Sequence, residues 1–423
     1  MWRKKNLLIV QEILRVIFNR LKQQDLGLLF AVITLIGIGL VVLYTVTSSN
    51  QTGISTTFQK QLLYGFIGVI FMGIAAIFSP RVHYTFAYLF YIVSCLLLLG
   101  VLLWGDETKG AARWIDLGLF SFQPSEPAKI ALVLVLARYV TDKKYDPRKP
   151  LHIMGTIAVT FIPLTLVLLQ PDLGTSIVFA AILLAMLVAI GTPFSYLLLM
   201  ITPICAALAS VNTIVLLIYI IVIILFAWGM HMRMGMLILL IIANLVISLG
   251  TPELWNQLKP YQKNRLISFV NPEADPKGSG YQVIQSKVAI GSGGFSGKGL
   301  GRGSQTQLKF LPEQHTDFIF SVIGEEFGLI GATGVLALLF WVVYRGFHAA
   351  LRTKGKYSAL ICIGLSIIIT VHIFINIGMT IGIMPVTGLP LPFLSYGGSF
   401  LWTIMISVGL ILGVGRRWKE YTP

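Results

Sequence analysis

Charge is scarce in this chain of 423 residues. Only 12% are Asp, Glu, Lys or Arg, and 17 acidic residues face 32 basic ones. Soluble domains carry about 25% charged residues, so this density excludes an ordinary water-covered globule and points to lipid as the solvent. Cysteine is rarer still. Cys95, Cys205 and Cys362 each sit inside an apolar run, which excludes a disulfide framework and reads as small core residues. The six histidines form no His-Glu-x-x-His pattern and no Cys/His pair at zinc spacing, so a built-in zinc centre is not expected. There is no repeat of fixed period, which excludes solenoids. No small-residue cleavage site follows the basic N-terminal segment, so that segment does not read as a removable signal peptide.

What is abundant is apolar sequence, 56% of the chain. Runs of about 17–25 apolar residues read as membrane-spanning helices. They fall near 26–46, 62–78, 86–104, 126–140, 153–169, 174–191, 195–210, 213–230, 232–250, 318–343, 358–381 and 396–415. Two of them, 126–140 and 195–210, are short or interrupted by proline. The expected fold is therefore all-α: an integral membrane bundle of about ten to twelve transmembrane helices with a large extracellular loop. The order along the chain is a cytoplasmic basic amphipathic segment (1–25), helices (26–250), the loop (251–317), helices (318–415) and a cytoplasmic tail (416–423). Within the first segment, Leu7, Val10, Ile13, Leu14, Ile17, Phe18 and Leu21 share a helical face opposite basic residues, the pattern of an interfacial helix.

The formal net charge is +15, but the basic residues sort by loop rather than forming a nucleic-acid patch. Lys143, Lys144, Arg148 and Lys149, then Arg345, Arg352, Lys354 and Lys356, and finally Arg416, Arg417 and Lys419 fall on the side of the N-terminal cluster. The positive-inside rule puts both termini in the cytoplasm and the 251–317 loop outside.

That loop is where chemistry is expected, because a long polar segment in such a protein is solvated only outside the hydrocarbon or in a wet cavity. Its glycine run, Gly291–Gly303, fails the phosphate-loop pattern. With Gly297-Lys298 as the Gly-Lys pair, the leading position is Ser292 and the following hydroxyl position is Gly299. Glycine-rich backbone beside Lys298 and Arg302 still allows close approach of a phosphate or sugar; the alternative is a flexible loop with no ligand. Asp275, held extended by Pro276, is either a general base or simply a turn residue. Glu313, His315 and Asp317 cluster where the chain re-enters the membrane, and Asp317 fits a helix cap. Charged residues inside spans default to function. Glu126 and Lys129 share a helix face, and a Lys129–Asp172 pair across helices would neutralise both charges. Glu325 and Glu326 are expected to face the interior. The segment Met384–Ser399, with its prolines and glycines, is expected to line the same cavity as the loop.

Taken together, Arg113-Trp114-Ile115-Asp116, Gln123-Pro124-Ser125-Glu126 with Lys129, Gln170-Pro171-Asp172-Leu173-Gly174-Thr175, Asp275-Pro276-Lys277-Gly278-Ser279-Gly280-Tyr281-Gln282, Leu311–Phe320 and Pro392–Ser399 resemble the SEDS family of bacterial shape, elongation, division and sporulation proteins. Gly303–Leu308 and the stretch from Asn376 to Gly388 are most similar to its RodA branch, rather than FtsW or SpoVE. The family fold has roughly ten spans, and the extra apolar runs here fall in 195–250.

The resemblance implies a peptidoglycan glycosyltransferase that polymerises lipid II, a disaccharide-pentapeptide on an undecaprenyl pyrophosphate carrier, onto a growing glycan strand for cell elongation and shape. A lipid II flippase, a non-catalytic scaffold, and a division or sporulation paralogue are the alternatives. It implies Asp275 as the catalytic residue. Arg113, Trp114, Glu126, Lys129, Asp172, Lys277, Gln285, Lys287, Lys298, Glu313 and His315 are its substrate-binding candidates. The expected partners are a class B penicillin-binding protein (a transpeptidase), the elongation machinery and membrane lipid, with no nucleic acid. The expected place is the bacterial cytoplasmic membrane. No metal ligand set is evident, and a divalent cation, Mg or Mn, is one way to offset pyrophosphate charge.

Overall fold

In a computed structural model, the described residues are 25–48, 55–108, 111–116, 118, 120–142, 144–276, 278–308 and 310–416. The basic amphipathic segment 1–24, Lys277 and the tail from 417 onward therefore lie outside the described residues. Each of the twelve apolar runs is a helix. They are α1 (Leu26–Ser48), α2 (Thr56–Ile77), α3 (Pro80–Trp104), α4 (Ser125–Val140), α5 (Pro150–Leu169), α6 (Leu173–Ala189), α7 (Phe194–Ala209), α8 (Thr213–Gly229) and α9 (Met234–Gln257), followed after the polar segment by α13 (Ile319–Arg352), α14 (Lys356–Thr380) and α15 (Gly398–Arg416). Among the described residues, eight of these are long and apolar enough to cross a membrane. The fold is thus an all-α multi-pass membrane bundle.

The shorter helices have a physical reason for being short. Helix α4 has 16 residues, a rise of about 24 Å against a hydrocarbon core of about 30 Å. Nearly all its side chains are buried, so protein rather than lipid surrounds it. Helices α4, α14 and α15 form the centre, and α15 packs extensively along α2. By contrast α7, α8 and α9 pack mainly on one another. They share a separate small apolar cluster and a polar knot in which Asn244 Nδ2 donates to Thr202 Oγ1 (3.0 Å) and the Tyr219 hydroxyl donates to the Thr202 carbonyl (2.7 Å).

Two features depart from the expected organisation. A small antiparallel sheet, β1 (Asp106–Thr108), β2 (Ala111–Asp116) and β3 (Ser121–Phe122), lies between α3 and α4. And the stretch expected as a loop, 251–317, contains much helix. Helix α9 continues to Gln257, and α10 (Pro260–Val270), a 3₁₀ turn (Pro272–Ala274), α11 (Ser279–Ser292) and the short α12 (Ser304–Gln307) follow. Buried Val283, Ser286 and Ala289 give α11 a packed face at helical spacing.

The glycine run is not a loose loop. Helix α13 breaks at Gly328, whose φ is +65°, and the run lies against the break. The carbonyls of Glu325 and Glu326 accept Lys298 N (3.0 Å) and Gly299 N (3.0 Å), while Leu329 N and Ile330 N donate to Gly294 O (2.9 Å) and Phe295 O (3.2 Å). Backbone groups orphaned by the break are thus paired by an adjacent strand of chain, as a low-dielectric setting requires. The glutamate side chains add to the grip. Glu325 accepts from Lys298 Nζ (2.9 Å), Gln305 N (3.0 Å) and Thr306 Oγ1 (2.7 Å). Glu326 accepts from Thr45 Oγ1 (2.9 Å) and Gly301 N (3.1 Å). Both face the interior as expected.

At Gly297, φ is +80° and an added Cβ would collide with the Glu326 carbonyl oxygen. Gly297→Ala is therefore expected to cost about 1–3 kcal/mol of stability, read as a lowered Tm of the purified protein in detergent. Gly73→Ala, whose Cβ meets nothing within 4 Å, should leave Tm unchanged.

Candidate functional site

The polar signature residues meet at one end of the bundle, around a cavity of about 470 Å³. Trp114, Asp116 and Gln123 from the sheet region form one side, and Asp317, Tyr396 and Phe400 the other. Two segments are stitched into that second wall. Tyr396 N donates to the His315 carbonyl (2.9 Å) and Ser395 Oγ to the Thr316 carbonyl (2.5 Å). Asn376 Nδ2 donates to the Asp317 and Leu389 carbonyls, each at 2.8 Å. The Glu313 carbonyl accepts from Thr316 N, Asp317 N and Phe318 N (3.1–3.3 Å), a turn made by its left-handed φ of +52°. The segment Met384–Ser399 thus lines the cavity with the end of the polar segment, as its composition predicts.

Below Phe400 lies a buried ionic cluster. Lys129 Nζ is 3.0 and 2.9 Å from Glu126 Oε1 and Oε2 and donates to His372 Nε2 at 2.9 Å. That assignment leaves His372 Nδ1 as the donor to the Pro390 carbonyl (3.3 Å). Lys129 and His372 are fully buried and Glu126 nearly so. The expected Lys129–Asp172 pair does not form. One turn of helix already presents Glu126 to Lys129, whereas Asp172 caps α6, accepting from Thr175 N (3.1 Å) and Thr175 Oγ1 (2.9 Å) and from Gln123 Nε2 (3.4 Å).

At the rim, Arg113 Nε donates to the Gln170 carbonyl (3.1 Å) and its Nη2 to the Pro171 carbonyl. Arg265, on α10, donates from Nη1 to the Thr387 carbonyl (3.1 Å). Asp317 and Asp172 both attract the Arg265 guanidinium and Arg113 repels it. Burial pushes the Arg265 pKa down and the Asp317 carboxylate opposes that fall. Asp317 accordingly does not act as a cap; the N-cap position of α13 falls on Phe318 without a side-chain bond. Arg265 was passed over in the sequence, where it only begins a polar stretch, and His372 was likewise missed; Gln123 and Asn376 appeared only within the family-like segments, without a site role. A histidine and an asparagine inside an apolar run were the available signal.

Asp275 is half-buried and does not line the cavity. Its Oδ2 accepts from Ser279 N (2.9 Å) and Ser279 Oγ (3.2 Å) at the start of α11. Ser279 Oγ is 2.7 Å from Ser268 Oγ on α10, so the aspartate is tied to the helix that carries Arg265. Among the described residues, Oδ1 makes no hydrogen bond within the protein. Lys298 is committed to Glu325, 2.9 Å away, away from the cavity lining. Lys287 is exposed on α11 and Gln285 is half-buried there. Among the described residues no three of His, Cys, Asp and Glu converge on a metal position.

The fold and site are those of a multi-pass membrane protein with a polar cavity at one end of its bundle. The family model described as "Cell cycle protein", spanning FtsW, RodA and SpoVE, matches residues 26–214 and 197–420, and the chain belongs to this family. It is 39% identical over 354 residues to peptidoglycan glycosyltransferase MrdB of Escherichia coli (strain K12), covering 84% of each chain. It is 34% identical over 428 residues to peptidoglycan glycosyltransferase RodA of Treponema pallidum (strain Nichols), covering 93% of this chain and 98% of that one. In fold it is similar to a chain solved in a study of structural coordination of polymerization and crosslinking by a peptidoglycan synthase complex, with TM-score 0.69, 30% identity and coverage of 94% and 99%. It is also similar to rod shape determining protein RodA of Thermus thermophilus, with TM-score 0.62, 25% identity and coverage of 94% and 98%.

Removing one member of a buried ion pair strands the other charge, at a cost of about 3–5 kcal/mol. Glu126→Gln is therefore expected to lower Tm sharply in detergent, while Glu126→Leu combined with Lys129→Met should recover most of the loss. Equal Tm values for the single variant and the parent would mean that the pair is not buried as described.

Proposed function

We propose that this peptidoglycan glycosyltransferase joins lipid II units at the end of the bundle that bears the cavity between Trp114 and Tyr396, with Asp275, which stands outside the cavity lining at the start of α11, as general base. The observation that carries the reading is that Arg113 and α10 converge near the cavity: Arg113 and Tyr261 of α10 both donate to the Pro171 carbonyl, and Arg265 of the same helix donates to the Thr387 carbonyl, one residue before the lining residue Gly388, while Ser268 ties α10 to Asp275 through Ser279. A sugar hydroxyl is a poor nucleophile at neutral pH. Asp275 Oδ1 takes the proton of the 4-hydroxyl of the acceptor N-acetylglucosamine while Oδ2 stays fixed on Ser279. The hydroxyl oxygen attacks the anomeric carbon of the donor strand, and the bond to pyrophosphate breaks. An α-linked pyrophosphate becomes a β-1,4 link, so the single displacement inverts the centre and needs no carboxylate nucleophile. Arg113 and Arg265 receive the negative charge that develops on the departing pyrophosphate. Trp114 and the rest of the wall hold sugar and isoprenoid, with amphipathic rings suited to the interface.

Both termini are cytoplasmic in this reading and the cavity opens outside, as the distribution of Lys and Arg supports. The strand made there needs crosslinking, and a class B penicillin-binding protein is the partner of matching chemistry. The similar chain solved in a polymerizing and crosslinking complex supports that pairing. Elongation is the assigned role, on the segments Gly303–Leu308 and Asn376–Gly388. A divalent cation is not given a step, since among the described residues no three of His, Cys, Asp and Glu converge.

Asp275→Asn separates base from cap, because asparagine caps a helix about as well as aspartate and cannot accept the proton. The variant is expected to keep its Tm and lose about 10²–10⁴-fold in rate, measured as glycan polymer formed from purified lipid II. Polymerisation by Asp275→Asn at the parental rate would sink the base assignment.

A further inference from the structure

We propose that a second cavity, at the opposite end of the bundle, binds the phosphate headgroup of an anionic phospholipid. Helices α13 and α15 start at the catalytic cavity and end here, and the 19 residues of α15 put the two about 28 Å apart. The cavity, about 230 Å³, is lined by Arg345, His348, Arg352 and Arg416 against a single carboxylate, Asp25. That carboxylate is already committed. Asp25 Oδ2 pairs with Arg345 through Nε (2.5 Å) and Nη2, and Oδ1 accepts from Leu28 N (3.1 Å) at the start of α1. The lining is thus cationic overall, which a phosphodiester offsets.

Two further observations select a lipid over free phosphate. The floor is apolar, with Leu28, Ile411 and Leu412 buried beneath the charges, and accommodates glycerol carbons. Beside it, Trp341 and Tyr344 lie exposed on the outer face of α13, as aromatic side chains do at headgroup level. The same rings brace the cations: Arg345 sits 5.6 Å from the Trp341 ring centre, and His348 stacks on Tyr344 at 5.7 Å. This assignment stands independently of the polymerase mechanism.

The test uses the full chain in detergent, titrated by calorimetry with dihexanoyl-phosphatidylglycerol, dihexanoyl-phosphatidylcholine and inorganic phosphate. The glycerol lipid should bind and the other two should bind at least tenfold more weakly. A cation near an anionic headgroup contributes about fivefold in affinity, so Arg352→Gln should weaken binding about fivefold. Arg148→Gln, on an exposed position of another loop, should change nothing. Arg352 is itself exposed, so Arg352→Gln is expected to fold and to read the site directly. Equal binding by the parent and Arg352→Gln, or equal binding of inorganic phosphate and the lipid, would overturn the assignment.

Discussion

Glu325 and Glu326, buried where α13 breaks, fix the polar segment that precedes it. A helix cannot simply stop being a helix inside a membrane protein, because its freed backbone groups find no water. Here the glycine run supplies the missing partners, and the two carboxylates clamp Lys298, Thr306 and Gly301 around it. On the N-terminal side of that clamp lies α11, with Asp275 at its start. On the C-terminal side lies the Glu313–Asp317 turn that walls the cavity. Both therefore take their positions from one anchored stretch, which is why glycines with left-handed φ recur there.

The sequence made the membrane helices legible because apolar length is a strong signal. All twelve runs proved helical, with ends displaced by several residues. The short α4 could be read as a helix, but its burial at the centre could not, since periodicity vanishes when every face is covered. The polar segment was legible as a break in the membrane helices and illegible in shape. Its glycines and prolines read as loop, whereas α10 and α11 form because tertiary packing of a few apolar positions outweighs weak propensity. Strands of three, six and two residues left no alternation long enough to notice.

Pairings were harder to read than positions. Charges inside spans stood out in the sequence, yet Lys129 pairs with the carboxylate one turn away and leaves Asp172 to cap its own helix. Lys298 was weighed as a phosphate ligand, and Glu325 as an interior charge, without a way to know that 27 residues of chain fold back to join them. Arg265 had no signal beyond being a cation in a polar stretch; only the approach of Asp317 and Thr387 gives it meaning. Asp275 matched its family motif, and the structure shows its Oδ2 held by Ser279 at the start of α11.

Helices α7, α8 and α9 have their own apolar cluster and touch the main bundle sparingly. The family model also matches the chain in two pieces whose overlap, 197–214, falls on this trio. A unit that satisfies its own polar groups and shares little surface drifts in length and composition at low cost to its neighbours. The trio thus behaves as a semi-detached module, whose residues can change at low cost to the packing of the helices around the polar cavity.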